Sequence, residues 1–323
     1  MKFSLITWGV ILITLFYSCS EESKFRYEEG VAWNTLYHIT YKSDKDLTDS
    51  IIGIFKEIDS SLSPFNNNST VSKINSNSDN KIDSHFQKVY NESLKINRES
   101  DGSFDPTLGP VIKAWGFGIG HEITSDTLRL DSLLQLVGIN KTKIENNRLI
   151  KQNPLIEFNF SALAKGYGVD CIALMLERNG VVDYLVEVGG EIRASGLNPN
   201  NKKWTIGIDK PDPDAKQGET TFSIQLDNGG LATSGNYRNY HKTNGKTFGH
   251  SISTKTGKPA LSDVISATVA ATSCMEADAL ATTCMVIGSE AALNLCTRLR
   301  AGVMLIKTDG SIIMNPAFKA LAN

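Results

Sequence analysis

The 323-residue chain lacks most of the features that mark specialised protein classes. Its charge is nearly balanced, with 33 Lys and Arg against 35 Asp and Glu and a formal net charge of −2. There is no basic run and no nucleic-acid-binding motif. That leaves no electrostatic footprint for nucleic acid or for an anionic membrane surface. Cysteine is scarce, at five, and no two form a C-x-x-C pair, so zinc-ribbon and thioredoxin-like chemistry are left out. Neither a Gly-x-x-x-x-Gly-Lys-Ser/Thr loop nor a Gly-x-Gly-x-x-Gly fingerprint is present. Repeats, low-complexity tracts and a clear interdomain linker are absent too.

Long apolar runs are confined to the N-terminus, "MKFSLITWGVILITLFYSCS". The run from Phe3 to Tyr17 has the length of a signal h-region and is short for a membrane span. Ser18-Cys19 at its end is the arrangement of a bacterial lipoprotein signal, in which Cys19 becomes the lipidated first residue of the mature chain. An ordinary cleaved signal with an incidental cysteine is the alternative. Either way residues 1–19 are set apart from the fold, residues 20–30 are expected to be a flexible tether, and residues 31–323 the functional domain. Lipid attachment would tether the protein to a membrane without spanning it.

The remaining composition, 41% hydrophobic and 21% charged, is that of an ordinary globular domain. "TLYHITYKS" (35–43) reads as a strand. Leu47, Ile51, Ile54, Phe55, Ile58 and Leu62 recur at helical spacing, and helices are also expected over 82–98 and 126–137. The segment 143–158 alternates like a hairpin. "SALAKGYGVDCIALMLERNG" is a helix stopped by Asn179-Gly180. Strands, short hairpins and two late helices follow. Helices and strands mix without βαβ alternation, so the expected fold is α+β: one compact domain with a mixed, largely antiparallel sheet and packed helices.

Several segments could carry chemistry. "SCMEADALATTC" (273–284) places Asp278 and Thr282 four apart on one helix face. Their oxygens suit a hard cation, but two side chains are too few, and Mg²⁺ completes about six oxygen ligands with water and substrate phosphates. Spacing alone favours a plain helix with a satisfied acid, and leaves Glu276 without a role. A Cys274–Cys284 disulfide is ruled out, because ten helical residues at ~1.5 Å each separate the two by about 15 Å. The cysteines of the domain are expected to be buried thiols. In "NFSALAKGYGVD", Ser161 could cap a helix whose small first turn and Lys165 favour an anion. "DGSFDPTLGP" and "VEVGGEIRASG" set acids beside glycines. His250, in "GHSISTKTGKP", is a candidate proton acceptor or a structural histidine.

Taken in order, "NTLYHITY", "SLSPFNNNSTVSKIN", "DGSFDPTLGPVIKAWGFG", "FSALAKGYGVD", "YLVEVGGEIRASG", "LATSGNYRNY", "FGHSISTKTGKP" and "SCMEADALATTCMVIG" closely resemble the ApbE-type flavin transferases. The resemblance runs from about residue 31 to 315. It implies a Mg²⁺-dependent FAD:protein FMN transferase that cleaves FAD, attaches FMN through a phosphoester to a Thr or Ser hydroxyl of an acceptor flavoprotein, and releases AMP. It also implies a lipid-anchored, periplasm-facing protein of the bacterial envelope. An FAD pyrophosphatase and a non-catalytic FAD-binding lipoprotein are the alternatives.

By motif position the metal ligands are Ala162 (through its carbonyl), Asp278 and Thr282. The flavin contacts are Trp33, Phe65, Ser103, Phe104, Asp105, Asn159, Lys165 and Ile252, and His250 is the base. Three positions depart from the family pattern: Trp33-Asn34 for methionine-glycine, Asn159-Phe160-Ser161 for aspartate-leucine-serine, and Ala281 where some relatives carry a second aspartate. The segment "DVISATVAAT" (263–272) is similar to sequences that receive FMN, and is read as a strand that happens to match.

Overall fold

The computed structural model describes residues 24–116, 127–209, 220–226, 228–235, 240–243, 246–249 and 251–322. The chain opens with a hairpin of β1 (Phe25–Ala32) and β2 (Thr35–Lys42). Helices α1 (Thr48–Leu62), α2 (Thr70–Asn75), α3 (Ser84–Glu99), α4 (Gly109–Ala114) and α5 (Thr127–Leu134) follow. A small hairpin, β3 (Thr142–Glu145) and β4 (Arg148–Lys151), precedes α6 (Ala164–Arg178). Next come β5 (Tyr184–Val188), β6 (Glu191–Ser195), β7 (Trp204–Asp209), β8 (Thr220–Leu226), β9 (Asn228–Gly235), β10 (Tyr240–Thr243), β11 (Lys246–Gly249) and β12 (Val264–Ala271). The chain continues through α7 (Cys274–Ile287), α8 (Ser289–Arg298), β13 (Gly302–Lys307), β14 (Ile312–Met314) and α9 (Pro316–Lys319).

Eight strands form one sheet in the order β1-β2-β5-β6-β9-β12-β13-β14, antiparallel throughout. This is the expected α+β class. Period-two alternation divides the sheet's side chains between two cores. Ala267, Val269, Val303 and Leu305 face the helices, in the core that includes Ala277 and Leu280 of α7 and Phe86 of α3. Ala270, Met304 and Ile306 face the opposite way, onto the β7–β8 hairpin and Phe318 of α9. A third core joins Ile51 and Phe55 of α1 and Ile172 and Leu176 of α6 to Tyr184 and Val186 of β5.

Two expectations change. Residues 25–30 are not tether, because they pair along β2 as part of β1. This is the sheet's edge strand, and its charged residues, Arg26, Glu28 and Glu29, are what such an edge tolerates. The acceptor-like segment lies mostly in β12, deep in the sheet between β9 and β13. Thr268 is fully buried and shares a hydrogen bond with Thr233, so it is no site for flavin attachment.

Candidate active site

The site is built where α6 meets α7. At Gly166 a Cβ would lie 2.4 Å from the Cys274 carbonyl oxygen and 2.9 Å from the Asp278 Cβ. Only glycine lets the two helices approach this closely. The smallness of this turn therefore serves the packing of α6 on α7. Gly166 is the third residue of α6, so its N–H is one of the donors at the helix start that have no intrahelical partner. It donates instead to Asp278 Oδ2 at 3.1 Å. The Ala162 carbonyl lies one residue before the N-cap Leu163, outside the helix ladder.

The turn before α6 is anchored by its aromatic residues. Phe158 and Phe160 pack edge-on to Phe86, with centroids 5.7 and 5.2 Å away. Each such pair contributes about 0.5–1.5 kcal/mol beyond area burial. Between them, Asn159 donates its backbone N–H to the Pro106 carbonyl at 2.7 Å, which ties this turn to the "DGSFDP" loop. Its side-chain oxygen accepts from the Ser161 N–H at 2.9 Å. An amide oxygen does this as well as a carboxylate, so the departure at Asn159 leaves the turn's geometry intact. Ser161 does not cap the helix: α6 starts later, with Leu163 at the N-cap position and no side-chain cap.

Asp278 is 4% exposed. Burial, and then the charge of Glu191, push its carboxyl well above the usual carboxylate range, with Lys165 and the Gly166 N–H pulling the other way. Thr282, one turn on, shares a hydrogen bond with Ser234 of β9 at 3.2 Å. Lys165 pairs with Glu191, the first residue of β6. Burial lowers the Lys165 ammonium, but Glu191 and then Asp278 outweigh it and hold its titration above the ordinary lysine value. The donors available to a cation are thus one carboxylate, one hydroxyl and one carbonyl, all hard oxygens. Among the described residues no cluster of three or more His, Cys, Asp or Glu side chains is placed to hold a metal.

The remaining residues divide. Asp105 is buried and fully engaged. It accepts from the Thr107 N–H and hydroxyl, the Ile139 N–H and the Asn97 amide, and so fixes its loop. Phe104 is a core residue. Ile252 is buried beside Leu108 and Val111, and the adjoining Ser251 hydroxyl is buried without a partner. Phe65, 58% exposed, is open to solvent. Trp33 and Asn34 both have positive φ in the two-residue β1–β2 turn. The Trp33 indole donates to the Phe55 carbonyl at 3.2 Å and lies over Gly168, where a Cβ would sit 2.1 Å from the ring. Ser103 borders a groove of about 600 Å³ with Ser253 and Arg298. His250 and Cys19 lie outside the described residues.

Glu276, which motif spacing left without a role, and Asp170 both hold the fold together. Glu276 accepts from Lys95 at 2.8 Å and from the Thr272 hydroxyl, while its own N–H is capped by Ser273, so it fastens α7 to α3. Asp170 caps α7 by accepting from the Cys274 and Met275 N–H groups, each at 2.9 Å, and pairs with Arg193. Cys171, Cys274, Cys284 and Cys296 are free thiols.

The ApbE family model matches residues 33–306. The chain belongs to the ApbE family. It is 34% identical to an FAD:protein FMN transferase of Haemophilus influenzae, over 97% of both chains. A solved flavin transferase ApbE from Vibrio cholerae superposes with a TM-score of 0.82 at 30% identity, covering 93% of this chain and 99% of that one. The ApbE protein of Thermotoga maritima superposes with a TM-score of 0.83 at 25% identity, over 93% and 100%. Of the positions the family resemblance assigned, Asp278 is tied to the start of α6 by the Gly166 N–H, and Thr282 to β9 by Ser234. Glu191 and Ser234 join them, and their motifs had been noticed without a role for either residue.

Proposed function

We propose that the chain is a Mg²⁺-dependent FAD:protein FMN transferase, joining FMN through a phosphoester to a Thr or Ser hydroxyl of an acceptor protein and releasing AMP. The observation that carries this reading is Asp278, a buried carboxylate that accepts one backbone N–H, has Lys165 as its compensating charge, and lies one helical turn from the Thr282 hydroxyl. Such a site favours a divalent cation shared with a phosphate-bearing substrate. The Ala162 carbonyl, Asp278 and Thr282 would hold the ion. Bound Mg²⁺ would offset charge on the phosphate oxygens as the phosphoanhydride breaks.

The residues of the chain then have distinct tasks. Lys165 and the start of α6 face the pyrophosphate. Phe65 and Ile252 supply apolar contact to the flavin, with Ser103, Phe104 and Asp105 forming the loop beside it. Trp33 braces the hairpin tip against α6. The acceptor hydroxyl attacks the phosphorus of the FMN half, and its proton passes to His250. The bond to the bridging oxygen breaks and AMP leaves with that electron pair. Cys19 carries the lipid, six residues before β1 begins at Phe25, so the domain works against the periplasmic face of a membrane.

The test is incubation with FAD, Mg²⁺ and a candidate acceptor. The expected result is AMP released in step with flavin bound covalently to the acceptor. Free FMN with acceptor present would mean a pyrophosphatase, and bound FAD with no AMP at any Mg²⁺ concentration would mean a non-catalytic flavin-binding protein.

A further inference from the structure

We propose that Glu191 is a positioning residue, which holds the Lys165 ammonium away from Asp278 and so keeps that carboxylate open to a cation. The inference rests on the assignment of Asp278 to the metal site.

Lys165 is a long, flexible side chain bonded to one buried acid, Glu191, and it is the residue next to Gly166, whose N–H holds a second buried acid, Asp278. Both carboxylates therefore lie against the same helical turn. One ammonium cannot serve both acids fully. Were it to settle on Asp278, it would occupy the carboxylate that a divalent ion needs. The position of Glu191 is firmly set. It follows Gly189 and Gly190, whose φ values of 62° and 97° close the β5–β6 hairpin in two residues. The Gly189 N–H donates to the Leu36 carbonyl at 3.0 Å and the Gly190 N–H to Glu187 at 2.7 Å, so the turn is pinned to β2 and to its own strand. Glu191 is itself 3% exposed and touches little water that could replace Lys165 as its partner. A rigid carboxylate thus fixes a mobile ammonium, which spares the site the cost of ordering it on each turnover.

The experiment is calorimetric titration of Mg²⁺ into the purified chain and its variants, with thermal melts to confirm folding. Glu191→Gln is expected to weaken Mg²⁺ binding on the order of tenfold, by releasing Lys165 onto Asp278. Adding Lys165→Met should return the affinity to within about threefold of the parent. Glu191→Asp separates position from charge: it keeps the charge but draws the carboxylate back by one methylene, and a severalfold weakening is expected. Unchanged affinity in Glu191→Gln, no recovery in the double variant, or parent-like binding in Glu191→Asp would each overturn the proposal. A parent chain that binds no Mg²⁺ would instead remove the metal site, and this inference with it. Should Glu191→Gln not fold, the Glu191→Asp comparison decides alone.

Discussion

Asp170 and Asp278 lie on facing helices and are buried to nearly the same depth, 5% and 4% exposed. Their surroundings differ. Asp170 accepts two backbone N–H groups at the start of α7 and pairs with Arg193 at 2.9 Å. Burial raises its carboxyl, and those three partners pull it back. Asp278 has one backbone N–H, a lysine already claimed by Glu191, and a second acid pressing on it. A buried acid with its partners complete holds a fold together, whereas one left short of compensation is poised for something the protein alone does not supply.

Breaking the complete site should have the largest effect. Asp170→Ala removes the closer of the two carboxylates that Arg193 pairs with, leaving the longer contact to Glu177, and uncaps α7; it is expected to cost about 3 kcal/mol of stability, measured by urea unfolding. The incomplete site should show itself through pH. The Asp278 carboxyl titrates above its ordinary 3.8 in the fold, so the native state holds that proton to higher pH than the unfolded chain does. Its stabilising contribution is complete below about pH 4 and is lost as pH rises through the raised value. In chelator, stability should fall by up to about 1.4 kcal/mol per pH unit in that window. Asp278→Asn should flatten this slope, and melts of both chains against pH check it. The smallest effect is expected at the family departure. Asn159→Asp keeps the acceptor for the Ser161 N–H, and should change stability by less than about 0.5 kcal/mol.

Much of this was legible in the sequence where period and punctuation agree. The α1 spacing predicted Leu47, Ile51, Ile54, Phe55, Ile58 and Leu62 on the inner face; all are buried except Ile54, which is half-buried. The position of α7, and the shared face of Asp278 and Thr282, followed from the i, i+4 rule. The edge strand β1 was missed because its charged residues mask the alternation that a half-buried strand would show. The partnerships of the acids were out of reach. Nothing local tells Asp170 from Asp278, since the Cys274 N–H, Gly166 and Glu191 that distinguish them are brought together only by the packing of α6 on α7 and β6. The meaning of Gly166 was hidden for the same reason: a small residue at a helix start reads as ligand access until the neighbouring helix is in place.

The central claim is that Asp278 is the metal-bearing acid. It is tested most directly by AMP release from FAD as a function of Mg²⁺, in the parent and in Asp278→Asn. The parent should require Mg²⁺. The variant should melt cooperatively at or above the parent's temperature in chelator, and lose about a hundredfold or more in turnover with no recovery at high Mg²⁺. A variant with the parent's Mg²⁺ dependence and rate would contradict the account.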